Sequence, residues 1–197
     1  MNIKNHVKNQ IINIISKSMQ DLPGIKWIIG ENPKNIRNKM NELARYAFEI
    51  AWRRNGIFIS RDRKGLAIMI AQNKRIREKI SLFISLRFIF YCTGLKRAWE
   101  IFKREKYIHN MHPANKDYLH FWIFAVLPSA RGSQTAIELK NTIFKESERL
   151  SLPIYLETTL LKNKIVYERF GFKVYHKWQI KKRNITMYFM KKDVLKD

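Results

Sequence analysis

One segment of the chain joins small residues, a basic side chain and the start of a helix. It runs Phe124-Ala125-Val126-Leu127-Pro128-Ser129-Ala130-Arg131-Gly132-Ser133-Gln134-Thr135-Ala136. Small residues let backbone N–H groups approach a phosphate without side-chain collision, and a helix N-terminus adds partial positive charge. Arg131 supplies a further anion contact. The segment therefore suits a phosphate-bearing ligand, although an ordinary tight connection before a helix has the same pattern.

A second segment, nearer the C-terminus, makes the pattern more specific. Leu156-Glu157-Thr158-Thr159 has the pattern of a strand end, and Asn163-Lys164-Ile165-Val166-Tyr167-Glu168-Arg169-Phe170-Gly171-Phe172 follows it. With the upstream strand, the V-x-P-x-x-R-G turn and the long helix, this order resembles the GNAT acetyltransferase superfamily. The two stretches Leu156–Thr159 and Tyr167–Phe172 are most similar to the puromycin N-acetyltransferase type. The resemblance covers about Tyr118 to Met190, and the N-terminal half aligns only by element order.

The resemblance implies both an activity and a fold. The activity is acetyl-CoA-dependent N-acetylation, in which an amine attacks acetyl-CoA directly in a ternary complex without an acyl-enzyme. The fold is a single α/β (α+β) domain over residues 1–197, with a central, mixed but mostly antiparallel sheet flanked by helices. The fourth and fifth predicted strands, residues 118–126 and 153–158, would splay apart to admit the cofactor.

The resemblance also implies which residues hold acetyl-CoA. The pyrophosphate loop would consist of Arg131, Gly132, Ser133, Gln134, Thr135 and Ala136, with Gln134 standing where the family pattern R/Q-G-x-G-x-G/A often has glycine. The backbone of Phe124, Ala125 and Val126 would pair with the pantetheine arm as an added strand does. Asn163 and Val166 would also reach the cofactor. Many family members place the asparagine seven residues before the tyrosine, where this chain has Leu160.

Tyr167 would be the general acid that protonates the departing thiolate. A tyrosine has a reference pKa of about 10, so it stays protonated at neutral pH and can donate. The alternative is a tyrosine that only packs in the core, with its hydroxyl hydrogen-bonded.

Glu157, His120 and water are the candidates for removing the proton of the acceptor amine, because acetyl transfer needs an uncharged amine. Glu157 would act as the base or as an anion that orients the acceptor, unless it is a structural glutamate. His120 lies in an aromatic stretch, where a lone histidine is more often a packed, hydrogen-bonded residue.

Hydrophobic spacing and turn residues predict the elements that position these groups. Helices are expected at residues 6–19, 35–53, 133–150 and 163–170. Strands are expected at residues 26–29, 57–60, 66–71, 118–126, 153–158, 172–178 and 185–190. The extra segment 73–107 is basic and predicts one or two helices, broken near Thr93-Gly94, beside the acceptor site. Trp52, Trp122 and residues 80–91 are candidates for the lining of an acceptor pocket.

The charge balance raises a question about partners. The chain has 39 Lys and Arg against 16 Asp and Glu, a net charge of +23. These residues are spread along the whole chain, so we favour a solvated basic surface and expect no specific nucleic acid. The charge would still attract anionic ligands such as coenzyme A. A polyanion or membrane-surface binder is an alternative from another class.

The remaining expectations concern metals, location and acceptor. Cys92 is the only cysteine, so neither disulfides nor a cysteine-rich metal site is expected, and no other metal signature appears. His109 and His112 are interpreted as a surface loop. Without a signal-peptide core or a membrane span the expected location is cytoplasmic. The expected acceptor is a small-molecule amine, with a peptide amine or a degenerate GNAT binding module as alternatives, and a homodimer is left open.

Overall fold

The computed structural model describes residues 3–30, 35–72, 82–114 and 116–194. Within them, seven α-helices flank a six-stranded sheet. The helices are α1 (Ile3–Met19), α2 (Pro23–Ile29), α3 (Ile36–Arg53), α4 (Leu82–Phe88), α5 (Leu95–Met111), α6 (Thr135–Leu150) and α7 (Leu161–Arg169). The strands are β1 (Ile57–Ile59), β2 (Gly65–Gln72), β3 (Tyr118–Val126), β4 (Ile154–Thr158), β5 (Lys173–Ile180) and β6 (Ile185–Lys192).

The sheet has the order β1-β2-β3-β4-β6-β5, and β3 and β4 are its parallel pair while the other neighbours are antiparallel. Only Leu119 with Ile154 and His120 with Tyr155 are in register between β3 and β4. Both strands continue beyond these pairs, so they separate towards their C-terminal ends. The mixed sheet, splayed at its parallel pair, confirms the predicted fold class.

A β-bulge in β3 accounts for the separation. Ile68 pairs with Ile123 and the next residue, Met69, pairs with Phe121, so Trp122 is an extra residue on β3. A bulge bends its strand and increases the local twist. Because this bulge follows directly after the last β3–β4 pair, it turns the end of β3 away from β4.

Two hydrophobic layers cover the faces of the sheet. On β2, Ile68 and Ile70 belong to the cluster under α1 and α3, whereas Ala67 and Met69 belong to the cluster under α6. This alternation is the two-residue period of a strand buried on both faces. A third cluster joins α2 and α5 to β6.

The sequence was misleading for one short element. Residues 26–29 were expected to form a strand, which would have been the first of the sheet, but they lie in α2. Pro23 occupies the first turn of this helix, where a missing N–H costs nothing. Trp27 and Ile29 are buried, and so short an apolar run has no period that separates helix from strand. The splayed strands are consequently the third and fourth of the sheet.

The basic segment predicted at 73–107 forms helices as far as it is described, since residues 73–81 lie outside the described ranges. The helix α4 continues into a π-helical turn, Ile89–Thr93, and Gly94 with φ of 73° separates that turn from α5. The predicted break at Thr93-Gly94 is confirmed. Among the described helices, none has both the length and the apolar character needed to cross a membrane.

A close approach between β2 and α6 provides a test of the packing. A Cβ atom added at Gly65 would lie 2.5 Å from Thr135 Cγ2 and 2.7 Å from Leu139 Cδ1. Gly65→Ala should therefore lower the free energy of unfolding by about 1–3 kcal/mol through overpacking. Thermal unfolding should show a melting temperature lower by about 2–4 °C per kcal/mol. At Gly24 an added Cβ would have an ordinary 3.5 Å contact with Thr159 Oγ1, so Gly24→Ala is the matched control. Equal losses in the two variants would contradict this account.

Candidate active site

A cavity of about 260 Å³ opens where β3 and β4 separate. On one side it is lined by α1, α2, α3 and α5, and on the other it reaches α7. Trp122 and Ile123 in its wall belong to the cluster under α1 and α3, whereas Phe124 and Tyr167 belong to the cluster under α6. The cavity therefore connects the two faces of the sheet through the gap.

A second cavity, of about 350 Å³, lies between α1, α3 and α4. It is lined by paired charges, including Arg87 with Glu42 and Lys8 with Glu49. Ile84, Arg87 and Phe88 of the 80–91 stretch line it, but none of the predicted catalytic or cofactor-binding residues does, so the gap cavity is the candidate site.

Three polar residues meet in the wall of the gap cavity or directly behind it. One carboxylate oxygen of Glu157, on β4, is hydrogen-bonded to His112 Nε2, and the other lies 2.9 Å from His120 Nε2, on β3. The Nδ1 atom of His112 lies 2.8 Å from the Tyr118 hydroxyl. Glu157 and His120 line the cavity, and His112 supports Glu157 from behind. We call His112, His120 and Glu157 the His–His–Glu cluster.

His112 corrects an expectation from the sequence. It was interpreted as part of a surface loop with His109, but it is only 7% exposed. The helix α5 extends to Met111, and His112 then turns inwards against Tyr118. His109, one turn earlier, is exposed as expected, but it lies on α5 and not in a loop. Only the fold shows this, because Glu157 lies far along the sequence and nothing near His112 indicates a polar partner.

Burial and charge act in opposite directions on the cluster. Burial would raise the pKa of the Glu157 carboxyl, but the charge of His120 and the hydrogen bonds from His112 and His120 hold that pKa well below its usual range. Burial would lower the pKa of His120, but the charge and hydrogen bond of Glu157 raise it above its ordinary value. Glu157 is therefore a strongly held anion, and its charge favours the protonated form of His120.

The residue types of the cluster match those of zinc sites, and their candidate ligand atoms all lie within 4.8 Å of one another. However, both oxygens of Glu157 already have histidine partners. The 2.9 Å between His120 Nε2 and its Glu157 oxygen is a hydrogen-bond distance, which a proton shared between the two atoms satisfies. The hydrogen-bond geometry thus fits a proton-holding cluster.

Tyr167 lies on α7 at the other end of the cavity. Its ring packs against Phe121 and Phe172, with ring centroids 6.2 and 5.7 Å away. Gly171, with φ of 87°, ends the helix and returns Phe172 behind the tyrosine, where its N–H bonds to the Tyr167 carbonyl. Burial raises the pKa of the Tyr167 hydroxyl. This hydroxyl therefore stays protonated and can donate a proton.

The predicted phosphate loop lies at the surface where α6 begins. Residues 131–134 are exposed, and Gly132 adopts φ of 81°, a conformation that favours glycine. Thr135 is buried instead, and its hydroxyl is satisfied by bonds to Ser133 Oγ at 2.8 Å and to Asp62 Oδ2 at 2.6 Å. Asp62, in the β1–β2 turn, thereby fixes the loop to the sheet.

The other predicted cofactor residues divide between the cavity and the surface. Phe124, Ala125 and Val126 pair with β2 along one edge of β3, while β4 has separated from the opposite edge. That opposite edge is where an added strand would bind. Asn163 lines the cavity, but Val166 is exposed on the outer side of α7.

Only some of the aromatic residues expected around the acceptor line the cavity. Trp122 lines the cavity, and so does Phe88 from the 80–91 stretch. Trp52 does not, because it packs in the core with its ring centroid 5.4 Å from that of Phe48.

Solved structures share this fold. Arylalkylamine N-acetyltransferase 2 from Aedes aegypti matches with a TM-score of 0.66 and 12% identity, covering 99% of this chain and 98% of that chain. A histone acetyltransferase HPA2 and related acetyltransferase from Corynebacterium glutamicum matches with a TM-score of 0.64 and 17% identity, over 98% of this chain and 93% of that chain. The NatC complex bound to Gag peptide and CoA matches with a TM-score of 0.52 and 13% identity, over 100% and 96%.

These neighbours define the class of fold. No protein-family model matches the chain, and no curated protein matches it in sequence. The sheet order, the splayed parallel pair and the structural neighbours together show that the chain has the fold of the GNAT acetyltransferases.

Proposed function

We propose that this chain is an acetyl-CoA-dependent N-acetyltransferase that acts on a primary amine of a small molecule. The observation that carries the proposal is the single cavity that joins Tyr167 to His120 and Glu157 through the gap between β3 and β4. A proton acceptor for the amine and a proton donor for the thiolate thus lie in one space. Acetyl-CoA would enter from the side of α6 and α7. The amine would enter from the side lined by α1, α2, α3 and α5.

The first proton transfer uses the His–His–Glu cluster. An alkyl amine in water is mostly protonated at neutral pH, with a pKa of about 10 for a lysine-like amine, so it must lose a proton before it attacks. Glu157 has too low a pKa to be an efficient base, whereas His120 lines the same cavity and has a raised pKa, so it is the stronger base of the two. Glu157 orients His120 and stabilises its protonated form. His120 and Glu157 thus share the role in amine deprotonation that the sequence suggests for Glu157.

The second transfer uses Tyr167. When the neutral amine attacks the thioester carbonyl, the C–N bond forms and the C–S bond breaks, leaving a thiolate on coenzyme A. The Tyr167 hydroxyl donates its proton to that sulfur, and the proton that the attacking nitrogen still has to lose passes to the Tyr167 phenolate, so the product is a neutral amide and the tyrosine is regenerated. A covalent route through Cys92 is disfavoured, since burial raises the pKa of its thiol to about 12.

The cavity walls favour a particular kind of acceptor. Most of the residues that line the cavity from α1, α2, α3 and α5 are apolar. Among the described lining residues, the acidic ones are Glu105 and Glu157. Such walls suit an amine carried on an apolar body, with the ammonium group directed to a carboxylate. The motif resemblance to the puromycin type supports a small amine, and so does a structural neighbour named for arylalkylamines.

The cofactor site can be tested by calorimetric titration with acetyl-CoA. Gly132→Trp should weaken binding at least about tenfold, because it obstructs backbone contacts to the diphosphate that contribute roughly 1.5–3 kcal/mol each. Gly94→Trp is the matched control, since Gly94 also has positive φ and open space around an added Cβ, but lies at the start of α5. Equal affinities in the two variants would place the cofactor elsewhere.

The acetyltransferase activity itself is tested by an amine panel. Release of free coenzyme A should require both acetyl-CoA and an amine of the favoured class, and mass spectrometry should show the N-acetylated product. Tight binding of acetyl-CoA without turnover across small amines and peptide N-termini would instead indicate a degenerate binding module.

A further inference from the structure

Six large apolar side chains are exposed on α4, the π-helical turn and α5. They are between 55% and 84% exposed: Leu86, Phe90, Tyr91, Leu95, Trp99 and Phe102. We call this surface the α4–α5 patch. Large contiguous apolar patches are uncommon on soluble monomers and mark interaction sites.

The spacing on α5 shows a continuous stripe. Leu95, Trp99 and Phe102 follow one another at intervals of four and three, which places them on one face of the helix. The rings of Trp99 and Phe102 stack at 5.6 Å while both remain exposed. The opposite face of α5 lines the gap cavity with Ile101 and Ile108. Within the described ranges, the outer stripe is left exposed while the opposite face packs inwards.

Cationic groups accompany the patch. The Lys103 ammonium lies 5.2 Å from the centre of the Trp99 ring. The Arg87 guanidinium lies 5.1 Å from that of Tyr91, but it is paired with Glu42, so its charge is balanced within the domain. Lys106 is exposed one turn beyond Phe102 on the same stripe. The nearest acidic residues on α5 are paired, Glu100 with Arg183 and Glu105 with Arg104. The patch thus presents aromatic and aliphatic groups bordered by positive charge.

We propose that the α4–α5 patch docks on the surface of an anionic phospholipid bilayer. Tryptophan, tyrosine and phenylalanine insert at the level of the headgroups, and lysine and arginine extend to the lipid phosphates. Charge complementarity selects this occupant, since the whole chain has a net charge of +23. A second copy would carry the same charge and be repelled. In the docked state α5 holds the gap cavity beside the bilayer.

Vesicle co-sedimentation tests the proposal with the full chain. Vesicles of phosphatidylcholine mixed with phosphatidylglycerol should bind the protein, and vesicles of phosphatidylcholine alone should bind it far less. The double variant Leu95→Ser with Phe102→Ser should bind the anionic vesicles at least about tenfold more weakly, because each substitution removes a large apolar side chain from the interface. Ile137→Ser is the matched control, since Ile137 is also exposed, at 46%, but lies on α6 across the sheet.

The outcomes separate the possible occupants of the patch. Since both substituted side chains are exposed, unchanged circular dichroism should show that the double variant folds. Binding that is lost in the double variant, kept in Ile137→Ser and weakened by salt supports the proposal. Equal binding to neutral and anionic vesicles, or unchanged binding of the double variant, overturns it. A dimer in light scattering that the double variant dissociates would assign the patch to a second copy and also overturn it.

Discussion

Replacing Tyr167 by phenylalanine should lower kcat by about 10²–10⁴-fold, the usual contribution of a positioned proton donor. The substitution removes one hydroxyl and keeps the ring that packs against Phe121 and Phe172. Because burial raises the pKa of this hydroxyl, it is protonated in the wild type throughout the neutral range. The affinity for acetyl-CoA should stay unchanged, since the loss concerns a proton transferred in the reaction. Steady-state kinetics and calorimetry on the same preparations measure the two quantities.

The matched control for this variant is Tyr188→Phe. Tyr188, on β6, packs partly buried in the same hydrophobic cluster as Tyr167 but does not line the cavity. Its kcat should equal that of the wild type. If Tyr167→Phe also retained the wild-type kcat, the thiolate would leave without help from this tyrosine, and its role would be limited to packing.

The parts of the site that the sequence predicts are those with local signals. The strand, turn and helix from Tyr118 to Leu150 have apolar periodicity and a small-residue turn, and the structure places β3 and α6 within a few residues of the predicted bounds. The same holds for β4 and α7, which bring Glu157 and Tyr167 to the cavity. Local propensity agrees with the global fold in this half of the chain.

The parts that the sequence does not predict depend on contacts distant along the chain. The burial of His112 results from its bonds to Tyr118 and Glu157, and no pattern around His112 encodes the latter. The bulge at Trp122 appears only in the pairing with β2, because Trp122 fits an unbroken apolar strand in sequence. The α2 helix depends on the burial of Trp27 and Ile29 against other elements. Tertiary packing decides each of these features.

The coupling between Glu157 and His120 has a consequence for the pH dependence of the reaction. His120 accepts a proton only when it is neutral, and Glu157 raises its pKa above the ordinary value of about 6.5. Wild-type kcat/KM should therefore fall as the pH drops through a value above about 6.5. When the charge of Glu157 is removed, burial becomes the main influence on the pKa of His120, and burial lowers that pKa.

Glu157→Gln should consequently have two effects on kcat/KM. The acid limb should move to lower pH, and the plateau should fall by about 10²-fold or more, because His120 becomes a weaker and less well-oriented base. Stopped assays across the pH range, with one amine for all variants, measure both effects and keep the titration of the amine constant. Thermal unfolding checks the fold of the variant, since breaking a buried ion pair is destabilising.

Glu105→Gln provides a graded control for this pH shift. Glu105 also lines the cavity and also raises the pKa of His120, but it has no hydrogen bond to that ring and contributes less than Glu157. Its substitution should displace the acid limb in the same direction by a smaller amount. A purely structural role for Glu157 would lower the rate at every pH and leave the limb in place. An unmoved acid limb in Glu157→Gln would therefore exclude His120 as the base and direct attention to a water in the cavity.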